Sequence, residues 1–303
     1  MAARDFFRAL AIQEVDLPAL VSHAVTDAQI DSLQVTTPGQ PSSIGYLHTS
    51  PEYGMKRLLA AGSPDIYQLG KVYRAGETGR LHQPEFTMIE WYRRGIALDD
   101  MAAETCALIR ALAASAGDPP PVGRALRYAD AFKEHVGIDP INASTSALQR
   151  QATSLLGAGV PELGDDRDAW LDLLLSQVLA PRLPREALTV LSHYPASQAA
   201  LARLHPQDNR LAERFEIFWR GVELANGYRE LRDPDEQRAR FERDRSIRRK
   251  QGRQDVEPDP ALLAALSAGL PDCCGVAVGF DRLLMLALNR DRLTDVISFP
   301  LRT

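Results

Sequence analysis

The chain has 303 residues, with 40 acidic and 35 basic side chains and a formal charge of −5; the mild acidity argues against a primary nucleic-acid binder, which needs clustered Lys and Arg. At roughly 150 residues per domain the length suits one large domain or two small ones, and 45% hydrophobic with 25% charged residues excludes intrinsic disorder and collagen- or mucin-like architectures. No stretch reaches the roughly 18 uncharged apolar residues of a membrane span, Asp5 and Glu14 interrupt any signal-peptide apolar region, and Cys106, Cys273 and Cys274 form neither a disulfide framework nor a zinc knuckle, so a reducing cytoplasm is the expected compartment.

The first 18 residues predict a short amphipathic helix, then an extended segment, QEVDLP, ending at Pro18. Over 46–60 a loop leads into a helix: Ser50 can cap it, Pro51 suits its first position, and Met55, Leu58 and Leu59 form an apolar stripe. IYQLGKVYR and EFTMIEWYR are expected as two strands joined by the polar segment AGETGRLHQP. Met101, Thr105, Leu108 and Leu112 fall at helical spacing before GDPPP breaks the chain, and a second helix is expected over 168–179. The whole stretch 98–186 carries no chemically suggestive cluster and predicts a mainly helical insertion or covering layer.

Strands return with ALTVL and with FEIFWRGVELANG. Asp233, Pro234 and Glu236 mark a helix start. Eight Arg or Lys side chains between Arg238 and Arg253 make that helix either a solvated face or a docking surface. CCGVAVGFDRLLMLAL is a Gly-rich strand running into an apolar helix, and its glycine spacing is not that of a dinucleotide fingerprint.

Three groups of side chains could carry chemistry. Arg74, Glu77, His82 and Phe86 span two strands and their loop; an Arg offers a rigid fork for a phosphate and a Phe a flat face for a base. If Arg220 and Gly221 form a two-residue turn, Phe218 pairs with Glu223 and Glu216 with Ala225, which makes Glu216 and Glu223 diagonal neighbours roughly 7–8 Å apart. Such an oxygen-only pair suits Mg²⁺ held mostly through a substrate's phosphates, or is simply an exposed strand face. Glu52, Glu90 and Glu230 lie in apolar surroundings with few Lys partners nearby in sequence, which invites a cationic ligand.

Together and in this order these segments resemble the class II aminoacyl-tRNA synthetases: QEVDLPAL looks like motif 1, VYRAGETGRLHQPEFTMIEWY like motif 2 and GVAVGFDRLLML like motif 3. SPEY, RFEIFWRGVELANGYREL and the spacing from Arg74 to Phe86 point to the lysyl-tRNA synthetase branch. TSPEYGMKRLL, VTDAQIDS, HYPASQAAL and Ala277 are similar to the truncated paralogues of that branch that attach (R)-β-lysine to elongation factor P. The resemblance covers nearly the whole chain. It implies a single α+β class II catalytic domain over 1–303, an antiparallel sheet flanked by helices, a homodimer built on motif 1, and no anticodon-binding OB domain, for which there is no room before Pro18.

The resemblance also assigns roles. Arg74 would contact the substrate carboxylate and the α-phosphate of ATP, Phe86 and Arg282 would sandwich the adenine, and His82 with Arg282 would reach the outer phosphates. Glu216 and Glu223 would hold Mg²⁺. Glu52 would bind the backbone-end amine, Asn226 the carboxylate, and Glu90, Tyr92 and Glu230 the ε-ammonium. Ala277 stands where lysyl-tRNA synthetases carry Gly, and one methyl in a packed pocket could favour a repositioned amine. The usual Arg-x-Glu of motif 2 is interrupted by Gly76, so Glu77 is expected to take over the adenine-amino contact. The chain begins inside the motif 1 helix, where relatives carry residues upstream.

Two functions compete with protein ligation: a compact lysyl-tRNA synthetase charging tRNA with L-lysine, and a catalytically silent paralogue that binds nucleotide or amino acid. The missing OB domain, Ala277 and the acidic balance weigh against tRNA as a partner. Retention of Arg74, Glu216, Glu223 and Arg282 weighs against silence. An ammonia-dependent amidotransferase on the same fold would lack the three-carboxylate pocket.

Overall fold

The computed structural model describes residues 1–39, 43–157 and 159–301. Helix α1 (Ala2–Ala9) leads into β1 (Gln13–Glu14), β2 (Leu20–Val21), β3 (Leu33–Thr36) and β4 (Ser43–Leu47). Next come α2 (Glu52–Ala60), β5 (Ile66–Tyr73), β6 (Glu85–Arg94) and α3 (Leu98–Ala114). The middle holds β7 (Val122–Arg127), α4 (Tyr128–His135), α5 (Thr145–Leu156), α6 (Arg167–Leu174) and α7 (Ala180–Arg182), the last two bridged by a π-helical turn over Leu175–Leu179. The chain then runs through β8 (Leu188–Pro195), β9 (Leu204–His205), β10 (Asp208–Trp219), β11 (Val222–Arg229), α8 (Pro234–Lys250), α9 (Pro260–Gly269), β12 (Cys273–Gly279) and α10 (Phe280–Ala287).

Eight strands form one sheet in the order β1-β5-β6-β12-β11-β10-β8-β7, with β9 added beside β10; β2, β4 and β3 make a separate small sheet. The centre of the large sheet is antiparallel, and only its edges, β1 on β5 and β7 on β8, pair in parallel. Alternation along the central strands divides the sheet into two faces. Ile89, Trp91, Val276, Val278, Phe215 and Ile217 pack on α1, α3 and α10 in the main core. The residues between them, Glu90, Tyr92, Ala277 and Glu216, point the other way and line a cavity.

Several local expectations hold, and others need correction. Asp233 caps α8, its carboxylate accepting from the amides of Asp235 and Glu236. Helix α2 begins at Glu52, not Pro51; Ser50 Oγ still accepts from the Glu52 amide at 3.0 Å, because a Pro that cannot donate leaves the next amide to be satisfied. The segment 98–186 is mainly helical, as expected, and β7 adds an edge strand to it, invisible in the sequence because only Leu126 among its residues is buried and no alternation results.

The basic helix is neither a solvated face nor a free docking surface throughout. Arg248 and Arg240 are buried. Arg248 donates to the carbonyls of Asp27 and Ile30 at 2.8 and 3.1 Å and pairs with Asp31 at 2.7 Å, while Arg253 donates to the Ala28 carbonyl at 2.7 Å. Arg240 donates to the carbonyls of Ala200 and Ala202. The arginines clamp the segment 25–31 and the turn after β8 onto α8, and both clamped stretches border the cavity.

Candidate active site

The cavity has a volume of about 610 Å³. Its floor is the sheet face described above. Strand register places Gln68, Glu90, Ala277, Asn226 and Glu216 side by side across β5, β6, β12, β11 and β10. The neighbouring row is Ile66, Tyr92, Gly275, Tyr228 and Arg214. All thirteen candidate residues border this one cavity: Glu52, Arg74, Glu77, His82, Phe86, Glu90, Tyr92, Glu216, Glu223, Asn226, Glu230, Ala277 and Arg282.

The hairpin that carries Glu216 and Glu223 differs from the expected register. Arg220 and Gly221 do form a tight turn with positive φ (53° and 76°), and Phe218 does pair with Glu223. A bulge then lets Ile217 pair with Ala225, so Glu216 faces Asn226, not Ala225. The extra residue has a large consequence. Unbroken alternation from Glu223 would put Ala225, Gly227 and Arg229 on its face, whereas the bulge brings Asn226, Tyr228 and Glu230 to the cavity beside it.

At one end of the cavity the side chains suit a nucleotide. The Arg74 guanidinium lies over the Phe86 ring, 5.1 Å from its centroid, with Nε 3.4 Å from the Thr49 carbonyl and Nη1 3.6 Å from Glu77. Gly76 has φ +75°, a left-handed turn conformation that costs a β-carbon-bearing residue energy, which accounts for glycine at this position. Arg282, in the first turn of α10, donates to the carbonyls of Leu81 and Glu223 and to His82 Nε2 at 2.8 Å. A guanidinium has no acceptor, so His82 Nε2 accepts and the ring is the neutral Nδ1–H tautomer. Burial and the Arg282 charge hold its pKa down accordingly. Asp281, unnoticed in the sequence, accepts from the Thr87 amide at 2.7 Å and pins α10 to β6.

Glu216 and Glu223 approach each other on the floor, and burial with the neighbouring Glu223 charge pushes Glu216 up. Arg214, which sequence reasoning missed, opposes this. Its guanidinium lies between the Tyr194 and Tyr228 rings and bonds Glu216 at 2.5 Å, Asn226 Oδ1 at 3.2 Å and the Gln198 carbonyl at 2.6 Å. Among the described residues no three His, Cys, Asp or Glu side chains stand together as a metal cage. A two-carboxylate, oxygen-only set is what Mg²⁺ needs when phosphates supply most of its ligands, so the residues fit that ion.

The other end is acidic. Glu90 accepts from Ser50 Oγ at 2.6 Å and from Tyr92 Oη at 2.8 Å, and burial together with Glu52 pushes its pKa to about 8. The expectation that Glu52, Glu90 and Glu230 wait for a cation needs correction, because a resident one is already there. Lys56 Nζ stands 2.6 Å from Glu52 and 2.6 Å from Glu230. The signal was in the sequence as an i, i+4 Glu–Lys spacing on α2. Gly275 keeps this floor low: a β-carbon there would fall 2.3 Å from Tyr92 and 2.4 Å from Glu230.

The supposedly featureless middle of the chain also reaches the cavity, through Asp166, Asp168 and Asp172 of the α6 region. Asp172 accepts from Gln198 at 2.7 Å, and burial raises it to about 6. Nothing in the local sequence marks these acids, since the contact depends on how the insertion folds back on β8 and β10.

The comparisons with known proteins agree on one family. The model for class II tRNA synthetases (D, K and N) matches residues 1–303. Elongation factor P–(R)-β-lysine ligases from Yersinia pestis (strain Pestoides F) and Yersinia pseudotuberculosis serotype O:1b (strain IP 31758) are each 44% identical over 300 residues, 98% of this chain and 91% of theirs.

Proposed function

The chain belongs to the class II tRNA synthetases of the D, K and N type, and on that footing we propose that it is an ATP-dependent ligase joining (R)-β-lysine to a lysine of elongation factor P. The observation that carries the reading is the floor row from Glu90 through Ala277 and Asn226 to Glu216, which lays an acidic amine pocket against a site of phosphate and metal character. One catalytic unit over 1–303, a homodimer and a cytoplasmic location complete the proposal; no described helix is long and apolar enough to cross a membrane.

Arg74 binds the amino-acid carboxylate and the α-phosphate, with Phe86 and Arg282 on the two faces of the adenine and Glu77 at its amino edge. His82, neutral, orients Arg282 toward the outer phosphates. Glu52 takes the backbone-end ammonium, Asn226 the carboxylate, and Glu90, Tyr92 and Glu230 the distal one. Mg²⁺, held by Glu216 and Glu223, supplies charge neutralisation to the triphosphate. The β-lysine carboxylate oxygen attacks the α-phosphorus, the bond to pyrophosphate breaks, and an aminoacyl adenylate forms. The ε-amine of the acceptor lysine then attacks the adenylate carbonyl, AMP leaves, and the amine proton is lost as the amide forms. No protein nucleophile takes part; the side chains position the reactants and stabilise developing charge.

Amino-acid-dependent ATP–pyrophosphate exchange tests the reading, with (R)-β-lysine preferred over L-α-lysine and a mass gain on elongation factor P when both substrates are present. Preference for α-lysine with charging of tRNA would replace it. Exchange with neither would indicate a silent paralogue. Ala277→Gly is expected to narrow the β- over α-lysine preference by roughly tenfold, the effect of one methyl in a close-fitting pocket.

A pH dependence follows from Glu90. Its folded pKa lies above that of the unfolded chain, so in the empty protein its contribution to stability is present in acid and lost as pH rises toward about 8. A bound ammonium favours the carboxylate and releases that proton. The thermal shift produced by (R)-β-lysine should therefore grow between pH 6.5 and 8.5, where the ligand's amines stay protonated; a shift that shrinks over this range contradicts the assignment.

A further inference from the structure

Lys56 is buried behind the acidic end of the cavity, 1% exposed and in contact with the lining residues Glu52 and Glu230, yet no step of adenylation or transfer uses it. Its ammonium bridges Glu52, one turn before it on α2, and Glu230, just beyond β11. Facing the three are Tyr53 on α2, Glu90 and Tyr92 on β6, Tyr228 on β11 and the buried Cys273 thiol on β12. With all three carboxylates ionised, as a bound ammonium favours, three negative charges against the one ammonium of Lys56 leave an excess of two. A diamino acid brings two ammonium groups, while its carboxylate is directed to Arg74 and Asn226.

We propose that Lys56 is a positioning residue that sets the charge of the amine pocket, matching it to a substrate carrying two ammonium groups and rejecting amino acids that carry one. The proposal rests on the functional reading above. Without Lys56, Glu52, Glu90 and Glu230 would share one desolvated pocket as like charges, a situation relieved by taking up protons. Protonated carboxylic acids neither attract an ammonium nor keep the orientation that Lys56 imposes on Glu52 and Glu230. The two carboxylates outweigh burial and hold Lys56 charged, its pKa raised and not lowered. Lys56 thereby counters the burial that pushes Glu230 up to about 7, while Glu90, which it does not touch, is pushed further, to about 8.

The decisive measurement is proton release on binding (R)-β-lysine at pH 7, read by calorimetry of the full chain in two buffers of different ionisation enthalpy, for wild type and Lys56→Gln. The variant should release about one more proton per ligand than wild type. Its KM for the diamino acid in exchange should rise roughly tenfold or more, with KM for ATP unchanged. Discrimination against a β-amino acid with an apolar side chain should fall with it. An unchanged proton count overturns the proposal, because a merely structural Lys56 would alter affinity without altering protonation. If Lys56→Gln does not fold, nitrogen NMR of the wild-type lysines decides: a Lys56 ammonium that persists above pH 10.5 supports the assignment, and one that titrates like a surface lysine refutes it. A wild-type chain that binds no diamino acid sinks the functional reading and this proposal together; binding with an unchanged proton count sinks the proposal alone.

Discussion

Arg74→Ala is expected to lower amino-acid-dependent pyrophosphate exchange by about 10²–10³-fold in kcat, the scale of losing one preorganised donor aimed at developing charge. Arg74 leaves β5 at the point where the chain turns into the motif 2 loop, and its amide is bonded to the Pro84 carbonyl at 2.9 Å. Among the described residues its own side chain makes only the long approaches to Thr49 and Glu77 and the stacking on Phe86. Those contacts orient the guanidinium without saturating its five donors, which leaves the fork free for a carboxylate and a phosphate. Removing it should therefore change unfolding free energy by less than about 1 kcal/mol, as a partly exposed ion pair held at 3.6 Å contributes little. Arg74→Lys should recover only part of the rate, since a point charge cannot reproduce two parallel bonds. Full exchange activity in Arg74→Ala, measured at saturating substrates, would remove Arg74 from the chemistry.

The second large effect is on stability. In Glu230→Leu, Lys56 keeps a single partner, Glu52, and loses the one that is itself fully buried. Breaking a buried pair by deleting one member leaves an uncompensated charge and costs about 3–5 kcal/mol. Urea unfolding at pH 7 should show that deficit. It should narrow as pH rises, because burial then weighs more heavily against the ammonium: with one of its two partners gone the Lys56 pKa falls, and a lysine that binds its proton less tightly folded than unfolded favours the folded state increasingly as pH climbs through the shifted value. Glu230→Gln, which preserves shape, should lose less. A deficit in Glu230→Leu below about 1 kcal/mol would mean that the buried pair contributes nothing net, as well-packed replacements of buried pairs sometimes show.

Much of the molecule was legible from the chain alone where the signal is local. The β5–β6 hairpin with its polar loop, the Asp233 cap on α8 and the strand-to-helix passage into α10 each follow from alternation or capping chemistry within about ten residues. Phe86 and Glu90 stand in one cavity because they lie on β6, whose two-residue period turns them to the same face as Glu216 and Ala277, while Arg74 enters from the end of β5 and Arg282 from the first turn of α10. Motif order identified the family, since three motifs in one order at fixed spacing are a far more specific pattern than any one of them alone.

What depended on pairing between distant segments was not legible. The bulge in β11 is one residue long and leaves no mark on composition, yet it decides that Asn226, Tyr228 and Glu230 share the cavity with Glu223. Arg214 has the sequence of an ordinary strand arginine; its two aromatic walls come from β8 and β11. The arginines of α8 resemble a surface stripe until the segment 25–31 is seen folded onto them. Lys56 was four residues from Glu52 all along, but that spacing also describes any exposed helical pair, and only burial against Glu230 turns it into a charge held inside the site. Sequence determined the family, the β5–β6 hairpin, the Asp233 cap and which side chains would line one cavity. Tertiary structure decided which carboxylates are already neutralised, because in a desolvated pocket the state of each charge is set by neighbours that include residues more than a hundred positions away, as Glu230 is from Lys56.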